Sequence, residues 1–259
     1  MVHTVLRKAL SDAVDDDILP INPAASRKVR PKAPKPEMKF LDESQARAFL
    51  EAVSGDRLEA LYVLALLVGM RQGELFGLLW PDIDLKAGTI SVRRTLIELN
   101  GKHSFGEPKS AKGRRQIHIP ETAVKALIEH RKRTLAEGNA GSEFVFCSPD
   151  GKPLRKSNVL RRSFRPIIER ANKAAVKAAS KAGIRPELLP DIRFHDLRHS
   201  NATALLKQGV HPKVVQERLG HSQISLTLDT YSHVVKSMDQ KAAELRDALF
   251  SKENPDSSS

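Results

Sequence analysis

Along most of this chain the apolar residues recur at the three- and four-residue spacing of helices, with polar positions between them facing outward. Val5 to Val14 has that spacing and stops at Ile18-Leu19-Pro20-Ile21-Asn22-Pro23, where two prolines block continuation. One such helix has no core of its own, so residues 1–25 read as the terminal helix of a truncated N-terminal domain. Residues 26–39, SRKVRPKAPKPEMK, join three prolines to six basic residues, the composition of an extended, semi-rigid linker.

The main body is expected over residues 40–236. It opens at Asp42, an N-cap with Gln45 three residues on, followed by Ala46, Phe49, Leu50 and Val53 on one helical face. A second helix, Leu58 to Val68, ends at Gly69, and a third runs from Gln72 to about Leu79, which puts Arg71 at a helix start. The period then changes. Ile90 and Val92 alternate with polar neighbours, as do Ile117 and Ile119, so two strands flank a Gly- and Lys-rich loop from Asn100 to Gly113 that carries Lys109 and Lys112.

Helical spacing returns after Pro120 with Val124, Leu127, Ile128 and Leu135, and again from Ser157 with Leu160, Phe164, Ile167 and Ile168. That second helix shows Arg155, Lys156, Arg161, Arg162, Arg165 and Arg170, a face that either grips phosphates or is simply solvated. Further helices run from about His195 to Gln208, from Pro212 to Leu219 with Gly220 as the stop, and from Ser222 towards Tyr231. Met238, Ala242, Leu245 and Leu249 form an apolar stripe over 237–250, and residues 251–259, SKENPDSSS, have the composition of a disordered tail. The fold class is mainly α with a small antiparallel β-sheet.

Charge sharpens the picture, because 43 Lys and Arg against 31 Asp and Glu give a formal net charge of +12. Such a balance favours a polyanionic partner, most commonly nucleic acid. A single cysteine, Cys147, excludes a disulfide within the chain and a cysteine-based metal cluster, and fits a reducing, cytoplasmic setting. The longest apolar stretch, Leu61 to Met70, is about half of the roughly 20 residues that span a bilayer, so no membrane partner is expected.

Chemistry concentrates in His195-Asp196-Leu197-Arg198-His199, where His195 and Arg198 lie three apart and project from one helix face. Leu197, Ala202, Leu205 and Leu206 anchor that helix, leaving its polar residues to a cleft or to solvent. His195 and His199 have the spacing of two zinc ligands, but Asp196 stands where a zinc protease helix has its glutamate and no third ligand is evident, so neither metal nor cofactor is expected. The Asp12 and Asp15–Asp17 group reads as a solvated turn.

Four motifs occur in order: Gly69-Met70-Arg71-Gln72-Gly73-Glu74-Leu75, the His195 to His199 run, Leu219-Gly220-His221-Ser222 and Thr230-Tyr231-Ser232-His233. Together, over about residues 40 to 235, they resemble the tyrosine recombinase family, of the phage-type integrases, and the resemblance implies that family's catalytic-domain fold. It implies Arg71 and Arg198 as a phosphate clamp, His195 and His221 as supporting groups, Tyr231 as nucleophile and a lysine of the strand-flanked loop as general acid, with Lys109 the better match and Lys112 its rival. Guanidinium forks suit a phosphodiester that gains charge in the transition state. Glu74, three residues after Arg71, is placed to hold that guanidinium.

Residues 1–25 resemble the end of the family's core-binding domain, and the 237–250 helix resembles tails exchanged between protomers, with packing in cis as the alternative. The implied activity is site-specific integration or excision through a 3′-phosphotyrosine, without metal. The implied partners are double-stranded attachment sites, further copies of the chain in a tetramer on DNA, and accessory bending or directionality factors. Chromosome dimer resolution, type IB topoisomerase activity and, in a different class, non-catalytic DNA binding are the competing functions.

Overall fold

The computed structural model describes residues 2–26, 38–107 and 113–224. The core of the expected linker, Lys109, Lys112, Tyr231, the 237–250 stripe and the tail lie outside them. The chain divides into two units, residues 1–37 and 38–259. In the first, α1 spans Val2–Asp15, and the Asn22 amide donates to the Arg7 carbonyl and the Ser11 hydroxyl, at 2.9 and 2.8 Å, folding the proline-bearing turn back on the helix. Val2, Val5 and Leu6 remain exposed, with no buried residue in α1.

In the second unit α2 (Glu43–Val53) begins with the expected capping box: Asp42 accepts from the Gln45 backbone and the Gln45 side chain accepts from the Asp42 backbone. Helix α3 (Glu59–Leu67) is buried all round from Ala60 to Leu66, as its unbroken apolar run demands. Tyr62 has no exposed surface and stacks among Phe49, Phe164 and Phe194, its hydroxyl donating to Ser163 at 2.7 Å. Helix α4 is shorter than its pattern predicts, Gln72–Phe76, because the chain turns extended after Gly77 and Leu78 and Trp80 bond to the 143–145 segment instead.

Strands β1 (Ile83–Asp84), β2 (Thr89–Val92) and β5 (Arg115–His118) form an antiparallel sheet in the order β1-β2-β5, with Ile90 opposite Ile117 and Val92 opposite Arg115. The expected loop from Asn100 to Gly113 is partly strand: β4 (Lys102–Gly106) lies within it and pairs as a hairpin with β3 (Thr95–Leu99), which precedes it. Asn100 and Gly101, at φ 50° and 73°, supply the two left-handed positions that its two-residue turn requires.

Helix α5 (Glu121–Ala136) buries Ala123, Leu127, His130 and Thr134, so its inward face is rotated from the expected stripe and Ile128 and Leu135 face out. A hydrogen bond of 2.7 Å between His130 Nε2 and the Val145 carbonyl makes a polar residue acceptable inside. Helix α6 (Lys156–Val159) runs through a wide π turn, Leu160–Phe164, into α7 (Arg165–Ala182); Pro166, which has no N–H to donate, follows the widened turn. Helices α8 (Asp196–Lys207) and α9 (Pro212–Leu219) complete the described unit. Among the described residues no helix is long and apolar enough to cross a membrane.

Candidate active site

Two helix ends face the site. Helix α3 is closed by Gly69 at φ 73° and α9 by Gly220 at φ 68°, both in the left-handed region that glycine enters without strain. Each glycine carbonyl goes to an arginine picked out by sequence: Arg198 donates to Gly69 at 2.8 Å, and Arg71 to Gly220 at 2.9 Å. Arg198 also donates to the Leu219 carbonyl at 2.6 Å, so one guanidinium joins the carboxyl ends of α3 and α9. Of the cleft and the solvent that the pattern left open to this face, the structure excludes solvent for Arg198, which is only 3% exposed. Helix-terminal carbonyls without intrahelical partners carry partial negative charge, which is what lets the cation be buried there.

The turn that carries His221 is held at four successive carbonyls. Those of Arg218, Leu219, Gly220 and His221 accept from Arg115 Nε, Arg198, Arg71 and the Gln216 amide, the first at 2.7 Å and the last at 3.0 Å. The His221 N–H in turn donates to the Gln216 carbonyl at 3.1 Å. The backbone around this histidine is therefore fixed from several elements at once.

Arg71 is the N-cap of α4, as its place at a helix start predicts, and Glu74 accepts from both its N–H and its guanidinium, at 2.8 and 2.9 Å. Sequence reasoning missed the residue on the other side of that carboxylate. Arg115 on β5 donates to both Glu74 oxygens, at 3.0 and 2.9 Å, and to the Gly113 carbonyl at 3.0 Å. A readable signal existed: Arg115 shares strand parity with buried Ile117, so its side chain points inward and needs a buried acid. Burial pushes the Glu74 carboxyl up, and the hydrogen bonds and charges of Arg115 and then Arg71 overcome that, holding it below the usual carboxylate range.

His195 precedes α8 and packs edge-on against His199, with ring centroids 4.9 Å apart. Desolvation, then the neighbouring His199 and Arg198, lowers His195 to about 4. His221 is pushed down to about 3 by desolvation and by Arg198 and Arg71. Both imidazoles are thus neutral at pH 7. No group of three or more His, Cys, Asp or Glu placed to hold a metal ion occurs among the described residues. His211, which precedes Pro212, is the N-cap of α9 and accepts from the Lys213 N–H at 3.2 Å. Of the six residues singled out by sequence, four (Arg71, His195, Arg198 and His221) gather here, while Lys109 and Tyr231 lie outside the described residues.

The model of the phage integrase family matches residues 39–238 of this sequence. The chain belongs to the phage integrase family. This integrase-family chain is 32% identical to a "Tyrosine recombinase XerC-like" protein of Caldanaerobacter subterraneus, over 96% of its own length and 65% of that relative's. It is 29% identical to the ICEBs1 integrase of Bacillus subtilis, with the same two coverages. It therefore spans about two thirds of the length of these curated relatives. A structure of the Tn1549 transposon integrase in complex with transposon right end DNA superposes with a TM-score of 0.74 at 25% identity, covering 93% of this chain and 78% of that one. The fold is that of tyrosine recombinase catalytic domains, mainly helical with small antiparallel sheets.

Proposed function

We propose that this chain is the catalytic part of a site-specific DNA recombinase, acting in the cytoplasm to integrate or excise a mobile element. The observation that carries the reading is the meeting of Arg71, Arg198 and His221 at one turn, two guanidinia and a neutral imidazole beside His195. Two guanidinia are suited to donate to the non-bridging oxygens of a scissile phosphodiester as these gain charge. The Tyr231 hydroxyl, ten residues past His221, attacks phosphorus while its proton passes to His195, whose basicity rises beside the phosphate anion.

The 5′-oxygen leaves with a proton from Lys109, or from Lys112 in its place, and the 3′-phosphotyrosine conserves the bond for reversal by another strand's 5′-hydroxyl. His221 donates to a phosphate oxygen. DNA attachment sites are the substrate, with copies of the chain paired on them as a tetramer. The mobile-element integrases among the relatives favour integration over chromosome dimer resolution or topoisomerase activity.

Covalent capture tests the proposal by letting the protein select its own site. The protein is incubated with nicked duplexes of randomised sequence in EDTA, and denaturant-stable adducts are recovered and sequenced. An adduct of defined sequence is expected, absent in Tyr231→Phe and reduced about 100- to 1000-fold in rate by Arg198→Ala. DNA binding without any adduct would instead leave a non-catalytic DNA-binding protein, and an adduct that survives Tyr231→Phe would remove the assigned nucleophile.

A further inference from the structure

The Arg115 side chain is 8% exposed and lies on a strand rather than in any of the four motifs. Its guanidinium reaches three separate segments. On α4 it takes both oxygens of Glu74; on α9 its Nε donates to the Arg218 carbonyl; on its own strand's approach it donates to Gly113, the first described residue after 108–112. Glu74 is 3% exposed and already holds the Arg71 backbone and guanidinium, so its carboxylate sits between two cations. Without Arg115 the carboxylate would be left with Arg71 alone, drawing that guanidinium more tightly to itself, and the Arg218 carbonyl, the first of the four held in the His221 turn, would lose its donor.

We infer that Arg115 is a positioning residue of the site: it balances Glu74 from the side opposite Arg71 and anchors the turn that presents His221. The inference rests on the proposed recombinase reading for its effect on rate, but the anchoring itself belongs to the free protein. Arginine is required by the geometry. A lysine at 115 supplies a positive charge for Glu74, but its single ammonium lacks the planar fork that meets two carboxylate oxygens and the separate Nε that meets Arg218. Charge compensation and positioning are thereby separable in one substitution.

The test compares Arg115→Lys with the unmodified full chain in two measurements. Amide hydrogen exchange in the free protein is expected to speed up about tenfold or more at Gly220 to Ser222, with the α2 and α3 amides unchanged. On a duplex recovered by covalent capture, single-turnover adduct formation at saturating DNA is expected to slow about 10- to 100-fold, as for a sub-ångström to ångström misplacement of reacting groups, while the dissociation constant for that DNA moves less than about threefold. An unchanged exchange pattern at 220–222 overturns the anchoring, and an adduct rate within twofold of the unmodified chain overturns the positioning. Parallel losses of binding, stability and rate would mark a purely structural residue and overturn it as well. Should the unmodified chain form no adduct at all, the recombinase reading fails, while the exchange measurement still decides whether Arg115 anchors the turn.

Discussion

Two imidazoles with lowered proton affinity make the site's titration visible at the level of single residues. The free ring of His195 titrates near 6.5 in an unfolded chain and near 4 in the folded one. Above pH 6.5 both states hold it neutral and it contributes no pH dependence. As the pH falls from about 6.5 towards 4 the unfolded chain takes up the proton first, so the folded state loses stability over that window. His195→Asn, which cannot be protonated, is expected to flatten the fall of Tm between pH 6.5 and 4, coinciding with the unmodified protein near pH 7.5. Parallel Tm curves for the two proteins across that range would show that the ring is not held in its neutral form. The motif residues themselves were legible, because Arg71, His195, Arg198 and His221 stand in short, ordered runs. Arg115 was not, since an inward arginine in a four-residue strand differs from an outward one only by its phase against Ile117.

At the scale of elements, the helix stops are legible in the sequence where glycine marks them and not where a tertiary contact decides. Gly69 and Gly220 end their helices as expected, whereas α4 stops early because Leu78 and Trp80 pair with a distant segment that the local pattern does not contain. The Asn100-Gly101 dipeptide was a readable hairpin signal that the lysine-rich surroundings obscured. The face of α5 differs from its apolar pattern because His130 and Thr134 are buried, each with one hydrogen bond to a carbonyl, a pairing that hydrophobic periodicity does not register.

Gly69 carries the sharpest consequence at this scale. A Cβ built there would lie 2.8 Å from Asn201 Oδ1, on a backbone at φ 73° whose carbonyl holds Arg198. Gly69→Ala is therefore expected to lower stability by at least about 1 to 2 kcal/mol from the left-handed strain alone. Chemical denaturation measures this directly; a loss below about 0.5 kcal/mol, within the range of an ordinary surface substitution, would show that the α3 terminus relaxes freely.

For the whole molecule the net charge of +12 sets how it would meet the DNA of the proposed function. Exposed arginines along the π turn and the start of α7, including Arg161, Arg162 and Arg165, add to the field without being tied to carboxylates within the described ion pairs. Binding to non-cognate duplex is expected to be steeply salt-dependent. With roughly 6 to 10 phosphate contacts the association constant falls about 10³- to 10⁵-fold between 50 and 200 mM salt. A titration that is flat over that range would exclude phosphate neutralisation as the main source of affinity.

The burial of Arg198 also orders events in time. A guanidinium that must be stripped of water before it meets a phosphate would slow or weaken every encounter, because the hydration shell would have to be removed afresh for each DNA segment sampled. Here the stripping happens once, when the chain folds, and the carbonyls at the ends of α3 and α9 take over the role of the lost water. On the proposed function, a phosphate that reached the clamp would find a dry and already oriented donor, so the search along DNA would be left to the hydrated surface charges and the waiting would be done by the protein.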